Sequence, residues 1–368
     1  MAAEWTRVAN STITNYIRKE EDNTLRNRKL TAMIKSKGRI TYNWSGTNME
    51  WPVKYRRYKP NTFAQGSTLA YSQKNRRKKA SLDWRGYAIT DSMTKAEFLK
   101  NRGKEAIINE FSNMATDLKS DMDESFAEEF YIDGSAAENS ERIHGIETFM
   151  GATLVAGNGA GAPSNTNFAG LSCVLGAYGG SWSGGGSLSW PNGRGDTQYD
   201  FWSPLVVDYG STLFSATPKW KNNCVEAIAF AIIKTKKNKA QKGGLDLILI
   251  DDEMYRVYIA EQRDKQQIQV QRSQPTGLVS LGFTDVFNQD GTDITSEYGM
   301  PSQAGYGFSF DNMEMRSMQG QLFIPDGPTW DGPSQSWRLS LDFYGNVVWN
   351  PRHFCKLANL TSPGNALV

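Results

Sequence analysis

The chain has 368 residues, which is enough for a sizeable hydrophobic core and for two or three structural lobes. Its 41 Lys and Arg almost balance its 39 Asp and Glu, but the total conceals a strong asymmetry along the chain. Residues 1–104 carry 23 basic and 8 acidic side chains, a net charge of +15, whereas residues 105–368 carry 18 and 31, a net charge of −13. Opposite charge on two parts of one chain favours association between copies.

Composition also argues against several classes of protein. No run of eighteen apolar residues occurs, so we expect no membrane span. The first residues have no apolar signal core, so we expect no cleaved secretion peptide. Cys173, Cys224 and Cys355 lie far apart, which is typical of reduced thiols in a cytosolic setting.

Residues 1–37 are predicted to form a mobile arm with one short amphipathic helix. Basic residues and a glycine at 35–38 predict the end of that helix, since cations suit its carbonyl end and glycine suits its C-cap. The apolar positions of this helix are Leu25, Leu30, Met33 and Ile34.

Residues 38–90 alternate between apolar and polar side chains, which predicts strands. Apolar residues are too sparse for a separate core, so we expect a long hairpin that projects from the body and needs a partner surface. Trp44, Trp51 and Tyr55 are expected to be buried in that contact. The hairpin carries a basic cluster of Lys54, Arg56, Arg57, Arg76, Arg77, Lys78 and Lys79.

A long helix is predicted over about 94–131. Thr94 and Glu97 match a capping box, and apolar residues three or four apart form one stripe. The surrounding stretch 105–147 has 12 acidic residues and only Lys119 and Arg142 as bases. The acidic face comprises Asp117, Asp121, Asp123, Glu124, Glu128 and Glu129.

The basic cluster has two candidate partners. One is the phosphate backbone of a nucleic acid. The other is the acidic surface of a neighbouring copy, which we favour because the chain itself supplies such a surface.

The remainder of the chain reads as mixed α and β structure. Residues 135–200 are rich in glycine loops, which turn chemistry explains better than phosphate binding. A buried strand at 245–250 is followed by a helix that opens with acidic residues. The other predicted elements are a helix at 220–234 and strands at 278–287, 306–324 and 337–349.

Patterns of catalytic and metal-binding residues are weak. No phosphate-binding loop or nucleophile elbow occurs, and the two histidines, His144 and His353, have no ligands at a metal-site spacing. Asp251-Asp252-Glu253 suits the positive end of a helix dipole better than a catalytic carboxylate pair. We therefore expect no enzymatic activity, no cofactor and no metal.

The order of these elements resembles one protein family. The basic arm, long hairpin and acidic helix are followed by short motifs whose order and spacing are similar to those of the major capsid proteins of tailed double-stranded DNA bacteriophages, which have the Hong Kong 97-type fold. The resemblance covers roughly residues 25–360. Its motifs are Tyr131-Ile132-Asp133-Gly134, Ile143-His144-Gly145-Ile146-Glu147, Phe201-Trp202-Ser203-Pro204, Asp246-Leu247-Ile248-Leu249, Gly282-Phe283-Thr284-Asp285-Val286 and Asn350-Pro351-Arg352.

The resemblance implies an α+β chain divided into named parts. Residues 1–37 would be the N-terminal arm and 38–90 the extended β-hairpin loop (E-loop). Residues 91–139 would hold the long spine helix of a peripheral domain, and 140–334 a mixed α/β axial domain. Residues 335–368 would return to the peripheral domain and form the C-terminal tail.

It also implies a function and partners. Copies would assemble into hexamers and pentamers of an icosahedral virion shell, built in the host cytoplasm around double-stranded DNA that they contact non-specifically. A separate scaffolding protein, a portal and no membrane are expected. The hairpin must then flex, and Gly38, Gly86 and Gly103 are candidate hinges.

Three other functions stay open at this stage. An encapsulin-type compartment would share the fold but package an enzyme. A carbohydrate-active enzyme could use the 11 tryptophans and Asp251-Asp252-Glu253. A simple DNA-binding protein would bind duplex as a monomer.

Overall fold

The structure is a computed structural model. It describes residues 28–55, 58, 60–69, 71, 73, 75–100, 110–150, 153–154, 160–162, 167–173, 201–236, 244–264 and 286–360. Several predicted features lie outside these residues: Leu25, Arg56, Arg57, Gly103, much of the glycine-rich stretch 135–200 and most of the strand at 278–287.

The helices and strands alternate along the chain in a mixed α and β order. In chain order they are α1 (Lys29–Ser36), β1 (Ile40–Trp44), β2 (Met49–Lys54), β3 (Arg77–Leu82), β4 (Arg85–Thr94), α2 (Lys95–Lys100), α3 (Glu110–Glu129), β5 (Thr153–Leu154), β6 (Ala160–Ala162), β7 (Asn167–Phe168), β8 (Leu171–Ser172), β9 (Leu205–Asp208), α4 (Trp220–Lys236), β10 (Leu247–Ile250), α5 (Asp252–Asp264), β11 (Phe287–Gln289), β12 (Thr292–Ser296), β13 (Gly305–Phe308), β14 (Met313–Asp331), β15 (Ser336–Trp349) and β16 (Cys355–Ala358), with short 3₁₀ turns at 137–139, 146–149, 310–312 and 351–353.

A four-stranded sheet, in the order β1-β14-β15-β4, supports the acidic helix α3. β1 runs parallel to β14, and the other neighbours are antiparallel. Alternate side chains of β15, including Leu341 and Phe343, are buried on one face, as period-two burial requires. Phe126 of α3 packs edge-on against Phe343 with ring centroids 4.7 Å apart.

A second sheet of eight strands separates two hydrophobic cores. Its order is β11-β12-β10-β13-β16-β9-β6-β5, with parallel and antiparallel neighbours. In the central strand β10, Leu247 and Leu249 face the main core, whereas Ile248 and Ile250 face a second core under α4 and α5. Burial on both faces explains why this strand is apolar throughout.

The strands β2 and β3 form a separate antiparallel hairpin. Met49 lies opposite Leu82, and Lys54 lies opposite Arg77. The flanking strands β1 and β4 belong to the four-stranded sheet, so the paired hairpin strands occupy only the middle of the predicted range 38–90.

The helix α1 packs into the body, which differs from the prediction of a mobile arm. Leu30, Met33 and Ile34 have at most 1% of their surface exposed and join the main core. Gly38, just after α1, has φ +62°, the left-handed conformation expected of a C-cap glycine.

Other local predictions agree with the structure. Thr94 and Glu97 form a capping box, because the Thr94 N–H donates to Glu97 Oε2 at 2.9 Å and the Glu97 N–H donates to Thr94 Oγ1 at 3.3 Å. The predicted long helix corresponds to α2 and α3, which flank residues outside the described part.

Candidate functional site

The outward face of the hairpin β2–β3 is basic. Side chains alternate between exposed and partly buried along both strands, so Lys54, Arg77 and Lys79 point away from the body. Lys54 and Arg77 are exposed and face each other directly across the two strands. Like charges at such positions destabilise a hairpin. This pair therefore destabilises the isolated hairpin, and an acidic partner would relieve the repulsion between the two charges.

The other described members of the basic cluster have contacts within the chain. The Arg76 guanidinium lies 4.0 Å from the centre of the Tyr58 ring. The Lys78 ammonium lies 5.7 Å from the centre of the Tyr55 ring, on the inner face of the hairpin. Lys79 forms an ion pair with Glu50, and both side chains are exposed.

The base of the hairpin is attached to the body by aromatic contacts. The ring centroids of Trp51 and Trp202 are 6.4 Å apart, and those of Tyr55 and Phe201 are 5.7 Å apart. The Ser81 N–H donates to the carbonyl oxygen of Ala169 at 3.1 Å. The base is therefore held by its own chain and does not need a neighbour for its position.

The hairpin aromatics were predicted to be buried on a partner surface, but they contact residues of their own chain. Trp51 and Tyr55 pack within the chain, and the Arg316 guanidinium lies 4.1 Å from the centre of the Trp44 ring. The sequence pattern could not distinguish burial on the body from burial on a neighbour, because both need the same apolar side chains.

The far part of the hairpin carries large apolar side chains in solvent. Tyr71 has 91% of its surface exposed, Phe63 69%, Tyr58 60% and Leu69 48%. Groups of exposed apolar residues mark surfaces that bind a partner. These four residues show no regular period in the sequence and were not predicted, and their position between two basic clusters is the one signal that marks them.

Four residues of the acidic face are paired within the chain. The Arg28 guanidinium donates to Glu124 Oε1 at 2.5 Å and to Glu128 Oε1 at 3.0 Å. Lys35 pairs with Asp123 at 2.5 Å. The helix α1 therefore covers the part of α3 that was predicted to face solvent or a neighbour.

Glu129, the fourth of these residues, is buried. It accepts hydrogen bonds from the Arg142 guanidinium and, at 2.7 Å, from the Tyr87 hydroxyl. Burial and the adjacent Glu129 raise the pKa of Tyr87, so the phenol stays protonated and donates. Glu129 is thus structural, and the apolar spacing of α3 gave no sign of it.

Other acidic groups of α3 and of the turn after it are exposed. Asp117 and Asp121 are exposed on α3, and Glu138 and Glu141 are exposed on the turn that follows it. Glu138 lies in the 3₁₀ turn 137–139, and Glu141 follows it three residues later in the same loop. Among the described residues, these four carboxylates are exposed and do not belong to the ion pairs described above.

The structure as a whole is similar to solved phage capsids. The capsid asymmetric unit of cyanophage A-1(L) matches 95% of this chain and 97% of its own, with a TM-score of 0.60 and 15% sequence identity. The capsid of a native GTA particle matches 93% of this chain and 94% of its own, with a TM-score of 0.53 and 10% sequence identity. The capsid of cyanophage P-SCSP1u matches 94% of this chain and 92% of its own, with a TM-score of 0.52 and 9% sequence identity.

The chain has the fold of phage capsid proteins. No protein-family model and no curated protein sequence matches it, so the likeness lies in the structure. The matches span nearly the whole of both chains.

The candidate hinges differ in their surroundings within this capsid fold. A Cβ atom added to Gly38 would meet nothing within 4 Å. A Cβ atom on Gly86 would lie 2.8 Å from the Tyr344 ring, and Gly86 is paired within β4. Gly38 therefore has no close neighbour that a side chain would meet, whereas Gly86 allows close packing against Tyr344.

Some of the residues that suggested an enzyme, Asp251 and three of the tryptophans, have structural roles. Asp251 Oδ2 accepts a hydrogen bond from the Gln303 N–H at 3.2 Å, and α5 begins at Asp252. Trp202, Trp220 and Trp349 are fully buried, so they cannot form a sugar-binding platform.

In the part of the chain that the structure describes, no three His, Cys, Asp or Glu side chains are grouped closely enough to hold a metal ion. None of the helices described has both the length and the apolar composition needed to cross a bilayer.

Proposed function

We propose that this chain is the major capsid protein of a tailed double-stranded DNA phage, a structural subunit without enzymatic activity. The observation that carries the proposal is the near-complete match in both directions to capsid subunits. Fold likeness alone does not fix a function. The charge asymmetry and the exposed hairpin add support because both suit a chain that binds copies of itself.

The capsid fold suggests a role for each region. We assign residues 1–37 to an N-terminal arm, 38–90 to the extended loop, 91–139 to a peripheral domain with α3 as the spine helix, 140–334 to the axial domain, and 335–368 to the returning strands and tail. The hairpin β2–β3 is then the core of the extended loop. The strands that flank it join the peripheral sheet.

The hairpin supplies the contact between neighbours within a ring. Its basic outer face meets carboxylates of the adjacent copy, and its exposed tip, with Phe63 and Tyr71, becomes buried there. One exposed charge pair contributes about 0–1 kcal/mol, so each contact is weak and reversible. Repetition around a closed ring gives a stable assembly.

The acidic side of this contact is the exposed group at the end of the spine segment. Glu138 and Glu141 are favoured because Asp123, Glu124, Glu128 and Glu129 are already paired within the chain. Like the hairpin, this turn is repeated in every copy of a ring.

Assembly into hexamers and pentamers would place the protein in the virion shell. DNA inside the shell would be contacted without sequence preference, through charge. A separate scaffolding protein and a portal would complete the assembly.

Electron microscopy and sedimentation of the purified full-length chain test the function. We expect closed particles at low ionic strength, or rings when scaffold is absent. A single slow species with the mass of one chain at all salt and protein concentrations would contradict the proposal. Particles that contain an enzyme instead of DNA when isolated from cells would identify an encapsulin-type compartment.

Charge reversal tests the mechanism. The variant Lys54→Glu/Arg77→Glu keeps two like charges opposed in the hairpin but reverses their sign, so we expect folded subunits that no longer close into shells. The matched control Lys219→Glu/Lys221→Glu reverses two exposed lysines at the start of α4 and should assemble normally. Adding Glu138→Lys/Glu141→Lys to the hairpin variant should restore shells. Normal shells from the hairpin variant would refute this contact.

A further inference from the structure

A cleft of about 330 Å³ opens at the base of the hairpin. Its walls are residues 81–85 at the end of the hairpin, 134–144 in the turn after α3, and 167–170 at the β7–β8 turn. Small residues such as Gly134 and Ala169 form much of the lining, and the cationic or basic groups in it are Arg85 and His144.

The three walls are tied together by hydrogen bonds from fixed groups. The buried Asn346 donates from Nδ2 to the Asp83 carbonyl oxygen at 3.0 Å, and its Oδ1 accepts the His144 N–H at 3.0 Å. The indole of Trp349 donates to the His144 carbonyl oxygen at 2.7 Å. The Ser81 N–H donates to the carbonyl oxygen of Ala169, on the third wall, at 3.1 Å. The cleft is therefore pre-formed and does not depend on a ligand for its shape.

Two of the side chains that line this cleft each have one buried nitrogen atom without a hydrogen-bond partner among the described residues. The two atoms are Arg85 Nε and His144 Nδ1. A buried polar atom without a partner is uncommon in folded proteins and often marks the position of a bound ion or water. Two such atoms from basic side chains that line one cleft point to an acceptor with negative charge.

The surrounding carboxylates do not fill this role. Asp133 accepts hydrogen bonds from the Ser135 N–H at 2.9 Å and from the Ser135 hydroxyl at 2.6 Å. Asp83 is exposed at the edge of the cleft, and the ring of Phe168 faces the His144 imidazole edge-on at 6.0 Å. Burial, with Arg85 adding to its effect, lowers the pKa of His144 to about 4, so the imidazole is neutral near pH 7.

We propose that this cleft binds an oxyanion, a phosphate or a carboxylate group, between the guanidinium of Arg85 and the imidazole of His144. The guanidinium supplies charge and N–H donors, and the imidazole supplies one N–H. Because residues 81–85 end the hairpin, a bound oxyanion fastens the hairpin base to the turn after α3. Its source is either a free ion or a carboxylate side chain of a neighbouring copy.

The two histidines of the chain make a direct test possible. Exchange of the imidazole C2 hydrogen, followed by mass spectrometry, gives a separate pKa for His144 and for His353 in isolated subunits and in particles. Inorganic phosphate and acetate are the probes. A bound anion should raise the pKa of His144 by about 1 to 3, because it favours the charged imidazole. The pKa of His353, which lies outside the cleft, should not move.

Variants separate binding from a merely structural role. Arg85→Gln should abolish the rise in the pKa of His144, and Arg85→Lys should keep part of it because the charge remains. Arg338→Gln removes an exposed arginine from the same sheet and should leave the rise unchanged.

The two sources of the oxyanion give different outcomes. A rise on addition of phosphate or acetate to the isolated subunit supports a free ion and does not depend on the proposed shell. A rise that occurs only in assembled particles supports a neighbour's carboxylate and rests on the proposed function. No rise in either state, or an equal rise in Arg85→Gln, would overturn the proposal.

Discussion

At the scale of single residues, Glu297 has the environment with the clearest measurable consequence. Only 3% of its surface is exposed. Its Oε2 accepts the Leu30 N–H at 2.8 Å, whereas Oε1 has no partner among the described residues. Burial raises the pKa of Glu297 to about 7, and the hydrogen bond from the Leu30 N–H and the charges of Arg28 and Lys29 oppose this effect only partly. Tyr131, which also faces this carboxyl group, stays protonated because burial raises its pKa.

The raised pKa predicts how stability depends on pH. Because the folded state favours the protonated form of Glu297, this group stabilises the fold most at a pH below 4.5, its pKa in the unfolded chain. That contribution to the free energy of unfolding is lost as the pH rises through about 7. Glu297→Gln removes this titration. We expect the free energy of unfolding of Glu297→Gln to rise relative to that of wild type by up to about 3 kcal/mol between pH 4.5 and pH 7. Urea unfolding of unassembled subunits at a series of pH values measures this difference. Parallel pH profiles for the two proteins would contradict the assignment.

Two glycines provide a second prediction at this scale. A Cβ atom on Gly145 would lie 2.4 Å from the Ile132 carbonyl oxygen, which is backbone and cannot move easily. On Gly86 the obstacle is the half-exposed ring of Tyr344, which can rotate away. We expect Gly145→Ala to cost about 1–3 kcal/mol. Gly86→Ala should cost less than about 0.5 kcal/mol. Thermal melting of the two variants measures this difference, and equal melting temperatures would contradict it.

At the scale of elements, the helix α1 is held by ion pairs of unequal strength. The Arg28 side chain is 7% exposed and contacts Glu124, Glu128 and the carbonyl oxygen of Tyr298 at 2.5 Å. Lys35 is 45% exposed and forms one ion pair. A buried charge that loses its partner is costly, whereas an exposed pair contributes about 0–1 kcal/mol.

This difference predicts which substitution releases the arm. Arg28→Ala should increase amide hydrogen exchange in residues 29–36 at least tenfold, because it removes a buried side chain that joins the start of α1 to Glu124, Glu128 and the Tyr298 carbonyl oxygen. Lys35→Ala should change exchange there by less than about fivefold. Equal protection in both variants would show that the apolar face of α1 alone holds the helix.

The elements differ in how far they could be predicted. The capping box at Thr94, the buried strand β10 and the start of α5 were predictable because they depend on neighbouring residues. The docking of α1 was not, because Arg28 and Glu124 are 96 residues apart and the pattern gives no pairing. For the same reason the acidic face of α3 could be predicted but its intramolecular partners could not.

The candidate site was likewise only partly predictable. Its basic character is local and was predicted from the cluster at 76–79. The division between Lys78, which faces inward, and Arg77, which faces outward, depends on the register of β3 against β2. A one-residue change of register would exchange these roles, and a single sequence does not determine it.

At the scale of the whole molecule, charge and exposed apolar surface act together. In the proposed assembly, the net charges of +15 and −13 on the two parts of the chain attract neighbouring copies, and the hairpin tip adds apolar burial once the copies touch. Salt screens the attraction between charges but not the burial of apolar surface. Assembly should therefore slow as ionic strength rises, and light scattering at a series of salt concentrations measures this dependence. An assembly rate independent of salt would exclude steering by charge.

The whole account depends on a hairpin that reaches a neighbouring copy. A cryo-electron microscopy reconstruction of particles formed by the full-length chain tests this most directly. We expect a closed shell in which the hairpin tip, with Phe63 and Tyr71, is buried on the adjacent subunit and the strand pair Lys54–Arg77 faces Glu138 and Glu141. A chain that stays a monomer, or a shell whose hairpin tips lie free in solvent, would contradict it.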